Sequence, residues 1–275
     1  MADPRHIETR DLDPAEIDTS NRLRPVSEPG VESLMASIIE LGLVKDEVIV
    51  RRIKRSGQLR LIAGGHRVEA CRRLERMVPA KVFECTDDWA MMMEVDDNLA
   101  GGELTALDSA VFLAQRKRVY EKLHPEMAQG GFRGNQHTGN LVPDIMSMTR
   151  STAEKFGISE RHVRRMIRVG EVLGAKEVNQ LRGAKKPVGL FDLMVLAKIE
   201  AAVERYDVVD MLAEGRAKNA AAARRQYAVA NGTAPAPNDP VEQEFQTLLK
   251  AWSRAPAQAR IRFVEQLRSE GQIYA

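Results

Sequence analysis

The sequence is poor in cysteine, has no long apolar run and carries almost no net charge. Its two cysteines, Cys71 and Cys85, match neither metal-ligand nor redox spacing, so we expect reduced thiols. The formal net charge of +2 does not indicate a polyanionic partner for the chain as a whole. Any surface that binds nucleic acid must therefore be a local concentration of basic residues.

No apolar run approaches the roughly 20 residues that a membrane-spanning helix needs. The first residues, MADPRHIETRDLD, are polar and acidic and lack the hydrophobic segment of a signal peptide. Hydrophobic residues make up 44% of the chain and charged residues 29%, values that indicate a folded rather than a disordered protein. We therefore expect a cytoplasmic protein with no membrane association, built from one large domain or two modest ones.

Apolar periodicity predicts an α+β domain over residues 31–123. Residues 1–30 are polar and contain four prolines, which predicts a flexible N-terminal arm. Two short apolar runs, Val48–Ile53 and Gln58–Ala63, predict a hairpin. The other elements predicted for this domain are the helices Val31–Leu41, His66–Arg76, Asp88–Leu99 and Ala106–Leu123 and the strand Ala80–Glu84.

Residues 59–70, LRLIAGGHRVEA, predict a strand, a two-glycine turn and a helix with a basic pair in its first turn. Glycines let the backbone approach a ligand closely, and the first N–H groups of a helix lack internal partners and favour anions. His66 and Arg67 would add side-chain donors. The pattern fits a phosphate site, but a strand–Gly-Gly–helix junction is also an ordinary structural connection.

Thr149–Leu173 predicts two helices joined by a tight turn at Gly157, with Ser159 capping the second helix. The first helix starts at Thr149 or at Ser151, whose spacing to Glu154 fits a capping box. Residues 150–168 hold six Lys or Arg against two Glu, and this charge coincides with the turn signature. A basic surface helix is the alternative, but the coincidence favours DNA binding. The predicted DNA-binding residues are Lys155, Ser159, Arg161, His162, Arg164, Arg165 and Arg168.

The remaining segments predict connections and a helical tail. Residues 124–148 are rich in Gly, Asn, Gln and Pro, which predicts a loop or hinge before a helix-turn-helix domain over 149–230. Residues 231–240, NGTAPAPNDP, predict a linker. Residues 241–275 predict a hairpin of two short amphipathic helices. So short a hairpin can hardly fold alone, so it should dock on a second copy, giving a homodimer, or on its own chain.

The Gly-x-x-Arg-x-x-Ala spacing of Gly64, Arg67 and Ala70 resembles a box in the N-terminal domain of ParB-like partition proteins, whose architecture is shared with sulfiredoxins. The helix VESLMASIIELG at 31–42 and the segment Asp97-Asn98-Leu99 also resemble parts of that family. The resemblance continues through the helix-turn-helix to about residue 230. It implies an α+β N-terminal ParB/sulfiredoxin-like domain, an all-α helix-turn-helix domain and a short helical C-terminal tail.

The resemblance also implies a nucleotide, CTP, and a magnesium ion. It assigns the nucleotide to Gly64, Gly65, His66, Arg67 and Asn98, and the magnesium ion to Asp97 and Asn98.

The boxes depart from the family pattern in ways that concern catalysis. Gly65 and His66 replace a Glu and an Arg, and Ala100 and Gly101 replace a Gln and an Arg. These losses weaken the expectation of hydrolysis more than that of binding, so at most a weak CTPase is expected. Gly65 also stands where sulfiredoxins have their reactive cysteine, which excludes that activity.

The resemblance implies a ParB-like protein that binds double-stranded DNA and acts in plasmid or prophage partition or maintenance. In the strongest form of this hypothesis the protein is a CTP-dependent clamp on DNA. A homodimer, a partition ATPase partner and a nucleoid- or plasmid-associated location in the cytoplasm would follow. One alternative is a sequence-specific transcriptional or replication regulator with a vestigial pocket. A second is a ParB-like nuclease, for which Asp96 and Asp97 are the only carboxylate pair singled out.

Overall fold

A computed structural model gives the structure of residues 3–20, 22–101, 104–125, 145–234 and 240–271. Side chains are described from residue 148 in the fourth range and from residue 241 in the last. The chain divides into two compact units, residues 1–224 and 225–275, and each is taken by itself. Most of the predicted loop 124–148, the middle of the predicted linker 231–240 and the last four residues lie outside the described residues.

A mixed sheet of five strands forms the N-terminal part of the first unit, in the order β1-β5-β3-β4-β2. The strands are β1 (Arg5–Leu12), β2 (Ile17–Asp18), β3 (Val48–Arg52), β4 (Leu59–Ala63) and β5 (Val78–Glu84). β3 and β4 are antiparallel, as predicted for the hairpin, whereas β3 and β5 are parallel. β1 pairs antiparallel with β5, and β2 pairs parallel with β4.

Helices make up most of the rest of the described chain. In the first part of the chain they are α1 (Glu28–Leu41), α2 (Gly65–Arg73), α3 (Asp87–Ala100) and α4 (Ala106–Leu123). After residue 144 they are α5 (Ile145–Phe156), α6 (Glu160–Val172), α7 (Ala175–Arg182), α8 (Leu190–Leu196), α9 (Ala202–Ala213), α10 (Ala220–Ala230), α11 (Pro240–Arg254) and α12 (Ala257–Ser269). The α+β domain followed by helices agrees with the predicted fold class. Within the described residues, no helix is both long enough and apolar enough to cross a membrane.

The core of the N-terminal part lies between the sheet and the helices α1 and α2. Alternate residues of β5 are buried, and so are the apolar residues that β3 and β4 turn inward. Val31 and Ile38 of α1 and Val68 and Cys71 of α2 pack against them. This packing places the start of α2 beside the end of β4. Both cysteines are unpaired, and burial raises the pKa of the Cys71 thiol.

The expectation of a flexible arm over residues 1–30 is wrong for residues 5–18, which form β1, a short 3-10 helix and β2. β1 is an edge strand whose single buried residue is Leu12, so its sequence, RHIETRDL, lacks the apolar alternation that predicts a strand. Pro29 lies in the first turn of α1, where the missing N–H costs nothing, rather than in a loop.

α4 packs against both α3 and α6, so the first unit is continuous across the predicted domain boundary at residue 123. The crossing of α4 and α6 is close at Gly170, where a Cβ atom would lie 2.2 Å from the carbonyl oxygen of Ala110. Only glycine fits there. The sequence between Ala106 and Leu123 had predicted this helix with the bounds that the structure gives.

The predicted start of the first helix of the helix-turn-helix, at Thr149 or Ser151, is wrong. α5 begins at Ile145, so both residues lie inside the helix. Thr149 and Thr152 are buried, and the hydroxyl of Thr152 contacts Arg116 rather than the helix terminus. The capping-box spacing of Ser151 and Glu154 was therefore coincidental.

The second unit contains the predicted pair of helices, α11 and α12. The rings of Trp252 and Phe263 meet edge to face with centroids 6.2 Å apart. Phe245, Leu248 and Leu249 of α11 nevertheless remain substantially exposed. The helical hairpin thus leaves much of its apolar side uncovered in the described structure.

Candidate anion cleft and nucleic-acid interface

A cleft of about 480 Å³ lies where the N-terminal ends of α1 and α2 meet the C-terminal part of α3. The structure brings both predicted boxes together here, because the cleft is lined by Gly64, Gly65, His66, Arg67, Asp97 and Asn98. It is also lined by residues that sequence reasoning missed, among them Arg22, Arg24, Ser27, Gly30 and Asp46. All of these except Asp46 lie in the segment predicted as an arm. The only sequence signal for them was the pair of closely spaced arginines, Arg22 and Arg24.

The backbone at Gly64 explains the first glycine of the box. Gly64 is the N-cap of α2 and has a φ of 97°, a conformation that favours glycine. A Cβ there would lie 2.7 Å from Cγ1 of Val48, so the strand-to-helix junction has no room for a side chain. Neither Gly64 nor Ser27, the N-cap of α1, provides a side-chain cap to its helix. Two helix N-termini therefore face the cleft and favour a bound anion.

His66 is held as a neutral hydrogen-bond acceptor. Its Nε2 accepts a hydrogen bond from the backbone N–H of Ser27 at 3.0 Å, and the Ser27 hydroxyl lies 3.0 Å from the same nitrogen. Burial lowers the pKa of His66, and the nearby charges of Arg24 and Arg22 lower it further. Gly30 makes room for the ring, because a Cβ at that position would lie 2.7 Å from its Cδ2.

Two arginines of the cleft are anchored to the backbone. Nη1 of Arg67 donates to the carbonyl oxygen of Glu47 at 2.6 Å, and Nη1 of Arg22 donates to that of Ile62 at 2.5 Å. Nε of Arg22 is buried without a hydrogen bond to the described residues, although it lies 3.4 Å from Glu94 Oε1. Burial raises the pKa of Glu94, and Arg22 opposes that shift. These contacts give both arginines a structural role in addition to their positive charge.

Asp97 and Asn98, at the C-terminal end of α3, supply a carboxylate and an amide, which are two of the several ligands that a metal ion needs. Asp97 and Asn98 both line the cleft, and Nδ2 of Asn98 donates to the carbonyl oxygen of Glu94 at 2.7 Å. No group of three or more His, Cys, Asp or Glu side chains among the described residues could hold a metal ion. Magnesium commonly takes one or two protein oxygens and completes its shell with phosphate and water oxygens, and the Asp97–Asn98 pair fits that pattern.

The helix-turn-helix pattern of the sequence corresponds to α5, a turn at Gly157 and α6. Oγ of Ser159 accepts a hydrogen bond from the backbone N–H of His162 at 3.2 Å and so caps α6. Val163, Met166 and Val169 are buried on the inner side of α6. Ser159, one of the predicted DNA-binding residues, thus caps the start of α6 next to the predicted basic residues.

The outer side of α6 carries the basic residues. Arg161, Arg164 and Arg168 are exposed, and His162 and Arg165 are half-buried. Arg164 donates to Oε2 of Glu160 at 2.6 Å. Within the described part of the chain, the side chains of Arg161, Arg165 and Arg168 have no hydrogen bond or ion pair. Their positive charge is therefore available to an external partner.

Lys155, the remaining predicted DNA-binding residue, is paired with the N-terminal part of the unit. Its Nζ donates to Oδ2 of Asp96 at 2.6 Å, and Oδ1 of Asp96 accepts from Nε of Arg116 at 2.9 Å. Nη1 of Arg116, a buried arginine, donates to Oγ1 of Thr152 at 2.6 Å. A polar network thus links α3, which also lines the cleft, to α4 and α5.

The N-terminal part of the chain is similar to known proteins. Residues 3–99 match the family model of the ParB N-terminal domain. The chain is 29% identical over 154 residues to the nucleoid occlusion protein of Bacillus licheniformis, a match that covers 54% of this chain and 54% of that protein. The chain thus matches about half the length of this curated relative.

Two solved structures are similar at lower identity. The C-terminally truncated chromosome-partitioning protein ParB of Caulobacter crescentus, complexed with CTP-γ-S, is 19% identical with a TM-score of 0.32. That alignment covers 70% of this chain and 93% of the other. The pNOB8-like ParB N-domain is 14% identical with a TM-score of 0.49, over 76% of this chain and 85% of the other.

Proposed function

We propose that this chain, whose residues 3–99 match the family model of the ParB N-terminal domain, is a DNA-binding protein that contacts duplex DNA through α5 and α6. The observation that carries the proposal is the two-sided character of α6. Its inner side packs on the protein, whereas Arg161, Arg165 and Arg168 on the outer side have no ion pair among the described residues. Cations that do not stabilise the fold are suited to phosphate and base contacts.

The order of residues along α6 suggests how the contacts divide. Recognition helices commonly read base edges in the major groove with their N-terminal residues. Arg161 and His162 lie in the first turn, so they would reach bases. Arg165 and Arg168 lie further along and would contact phosphates, together with Arg164 and, if it leaves Asp96, Lys155.

A double variant tests this proposal without disturbing the core. Arg161→Gln with Arg168→Gln removes two exposed cations that make no hydrogen bond or ion pair with the described residues. We expect at least a tenfold loss of affinity for duplex DNA, measured by fluorescence anisotropy. The variant loses the base contact proposed for Arg161 and the phosphate contact proposed for Arg168, and the lost phosphate contact also weakens the salt dependence. The matched control is Lys54→Gln with Arg55→Gln, two exposed cations in the turn between β3 and β4. Unchanged affinity in the α6 variant would contradict the proposal.

For the cleft we propose a nucleoside triphosphate, specifically CTP with magnesium, as in the ParB-like family that the sequence resembles. Two uncapped helix N-termini, Arg24 and the remaining donors of Arg22 and Arg67 would bind the phosphates. Asp97 and Asn98 would contact the magnesium ion, with phosphate oxygens as further ligands. The volume of about 480 Å³ falls within the range of small-molecule sites.

Arg24→Gln is the variant that tests the cleft most cleanly. No hydrogen bond or ion pair ties the Arg24 side chain to the described residues, so its loss should spare the fold. We expect the affinity for labelled CTP with magnesium to fall about tenfold, which is roughly 1.4 kcal/mol. Lys54→Gln, outside the cleft, serves as the control. The absence of saturable binding to wild-type protein at millimolar CTP would exclude this part of the proposal.

One observation favours the alternative of a regulator with a vestigial pocket. Arg67 and Arg22 are partly committed to backbone carbonyl oxygens, and His66 is a neutral acceptor where the family has an arginine. Chromatin immunoprecipitation in the host separates the two functions. A signal that spreads over kilobases from one site indicates a clamp that slides along DNA, whereas a narrow peak indicates a local regulator.

We also propose that the second unit mediates homodimer formation, since α11 and α12 leave Phe245, Leu248 and Leu249 exposed. Light scattering on the full chain and on a chain ending before residue 235 would test this.

A nuclease gains no support, since the described residues hold no cluster of three metal-ligating side chains.

A further inference from the structure

Two surface loops of the first unit lie side by side. Residues 183–189 join α7 to α8, and residues 214–219 join α9 to α10. The backbone N–H of Lys185 donates to the carbonyl oxygen of Ala213 at 3.4 Å, and a Cβ at Gly215 would lie 3.5 Å from Cδ of Lys185. The loops are thus neighbours although they are distant in sequence.

These loops carry a concentration of positive charge, which we call the two-loop cluster: Lys185, Lys186, Arg216 and Lys218. All of its members are exposed. The only carboxylate in the two loops is Glu214, which pairs with Arg216. The side chains of the three lysines make no hydrogen bond or ion pair in the described part of the chain. In a chain with a net charge of +2, this local excess has no evident role in the fold.

The loops are held firmly by their backbones. Ala217 is buried, and its N–H donates to the carbonyl oxygen of Met211 at 3.2 Å. Asp192 of α8 accepts a hydrogen bond from the backbone N–H of Ala220 at 2.8 Å, which ties the end of the second loop to α8. Arg216 and Lys218 flank the buried Ala217 and therefore point outward. A pre-organised surface loses little backbone entropy when it binds a partner.

The cluster belongs to the same packed body as α6. α8, which lies between the two loops in sequence, packs against both α6 and α9. The helices that carry the cluster are therefore joined by direct packing to the helix proposed to contact DNA. Lysine ammonium groups act as point charges and need no fixed geometry, which suits a repeating row of phosphates rather than a base edge.

We propose that the two-loop cluster binds the phosphodiester backbone of DNA beyond the bases that α6 contacts, and adds affinity without reading sequence. This inference rests on the proposed DNA-binding function. It assigns to the lysines a role that the fold does not require. The alternative is that the two-loop cluster is a solvated basic surface that binds no partner.

The test uses the full chain and a random-sequence duplex. A plot of log affinity against log salt has a negative slope for a DNA-binding protein. Lys185→Gln with Lys186→Gln should reduce the magnitude of this slope by about 2, since each phosphate contact contributes about 0.9. At low salt the affinity should fall several-fold, and by the same factor for duplexes of different sequence. Adding Lys218→Gln should reduce the magnitude of the slope by about 1 more. The control, Lys54→Gln with Arg55→Gln, makes the same change in charge and should leave the slope at the wild-type value.

The outcomes separate this inference from the proposed function. If the lysine variant and the control both keep the wild-type slope while Arg161→Gln with Arg168→Gln loses affinity, the cluster does not bind DNA and α6 does. If the wild-type chain binds no duplex even at low salt, both proposals are overturned. Circular dichroism melting of each variant, with an unchanged midpoint expected, ensures that a loss of affinity is not a loss of fold.

Discussion

The cleft and the outer side of α6 are both basic, but they use their arginines differently. In the cleft, Arg67 and Arg22 donate to backbone carbonyl oxygens, and Arg22 lies beside the buried Glu94. On α6, Arg161, Arg165 and Arg168 make no such contacts within the described residues. A charge that also stabilises the fold cannot be removed without structural cost, whereas a free charge can. Substitutions of these α6 arginines should therefore weaken binding without lowering the free energy of unfolding. In the cleft, only a substitution of Arg24 should do the same.

The largest expected effect is on the free energy of unfolding and comes from a substitution where α6 packs against α4, not from one on the exposed side of α6. In Gly170→Ala the new methyl group would lie 2.2 Å from the carbonyl oxygen of Ala110, so α4 and α6 must move apart. We expect a loss of about 3 kcal/mol in the free energy of unfolding, at the upper end for overpacking. Denaturant unfolding measures it, with Gly183→Ala as the control, where the added Cβ would meet only an ordinary contact at 3.5 Å.

This variant also bears on the comparison between the two regions. The cleft lies on α1, α2 and α3, so Gly170→Ala should weaken DNA binding more than nucleotide binding. A Gly170→Ala protein as stable as wild type would show that α4 and α6 do not pack as closely as described.

The next effect concerns the network that joins the two regions. Arg116 is 7% exposed and bridges Asp96 and Thr152. Arg116→Met removes the donor to Thr152 Oγ1 and one of the two donors to Asp96, which keeps only Lys155. We expect a loss of about 2 kcal/mol in the free energy of unfolding. Thermal or denaturant unfolding checks it against Lys122→Gln, an exposed change on the same helix. A variant indistinguishable from that control would mean that the network carries no net stability.

The smallest expected effect is a pH dependence of stability from His66. Because burial and the charges of Arg24 and Arg22 lower the pKa of His66 in the folded state, the unfolded chain takes up this proton first. The free energy of unfolding should therefore fall as the pH drops below about 6.5, the ordinary pKa of histidine. His66→Gln keeps an acceptor for the Ser27 N–H but does not titrate, so its stability should fall less over the same pH range.

The measurement is urea unfolding of wild type and His66→Gln from about pH 7.5 to about pH 5.5, around the histidine pKa. Asp46 and Asp97 also line the cleft, and they are common to both proteins. His162→Gln, on α6, controls for the loss of a histidine elsewhere. Parallel pH profiles for wild type and His66→Gln would contradict the account of His66.

The parts of the fold that could be predicted from sequence are those with a local signal. The glycine pair after β4 predicted the strand-to-helix junction. The turn at Gly157 and the basic residues that follow it predicted α6. β1 could not be predicted, because an edge strand with one buried residue shows no apolar alternation. The partners of Arg116 were equally hidden, since a buried arginine in a helix has the same sequence signal as an exposed one.

The candidate site was predicted in part for the same reason. Gly64 and Arg67 were found from a local spacing, and Asp97 and Asn98 from a resemblance. Arg22, Arg24 and Ser27 were missed because they reach the cleft through tertiary packing on His66 and Glu94, which no periodicity encodes.

The most direct test of the central claim is to measure both ligands on one variant. Arg161→Gln with Arg168→Gln should lose at least tenfold in affinity for duplex DNA while its affinity for CTP with magnesium and its unfolding midpoint stay at wild-type values. That result would mean that α6 is a DNA-binding surface whose cations are independent of the fold and of the cleft. Wild-type DNA affinity in this variant would contradict the account.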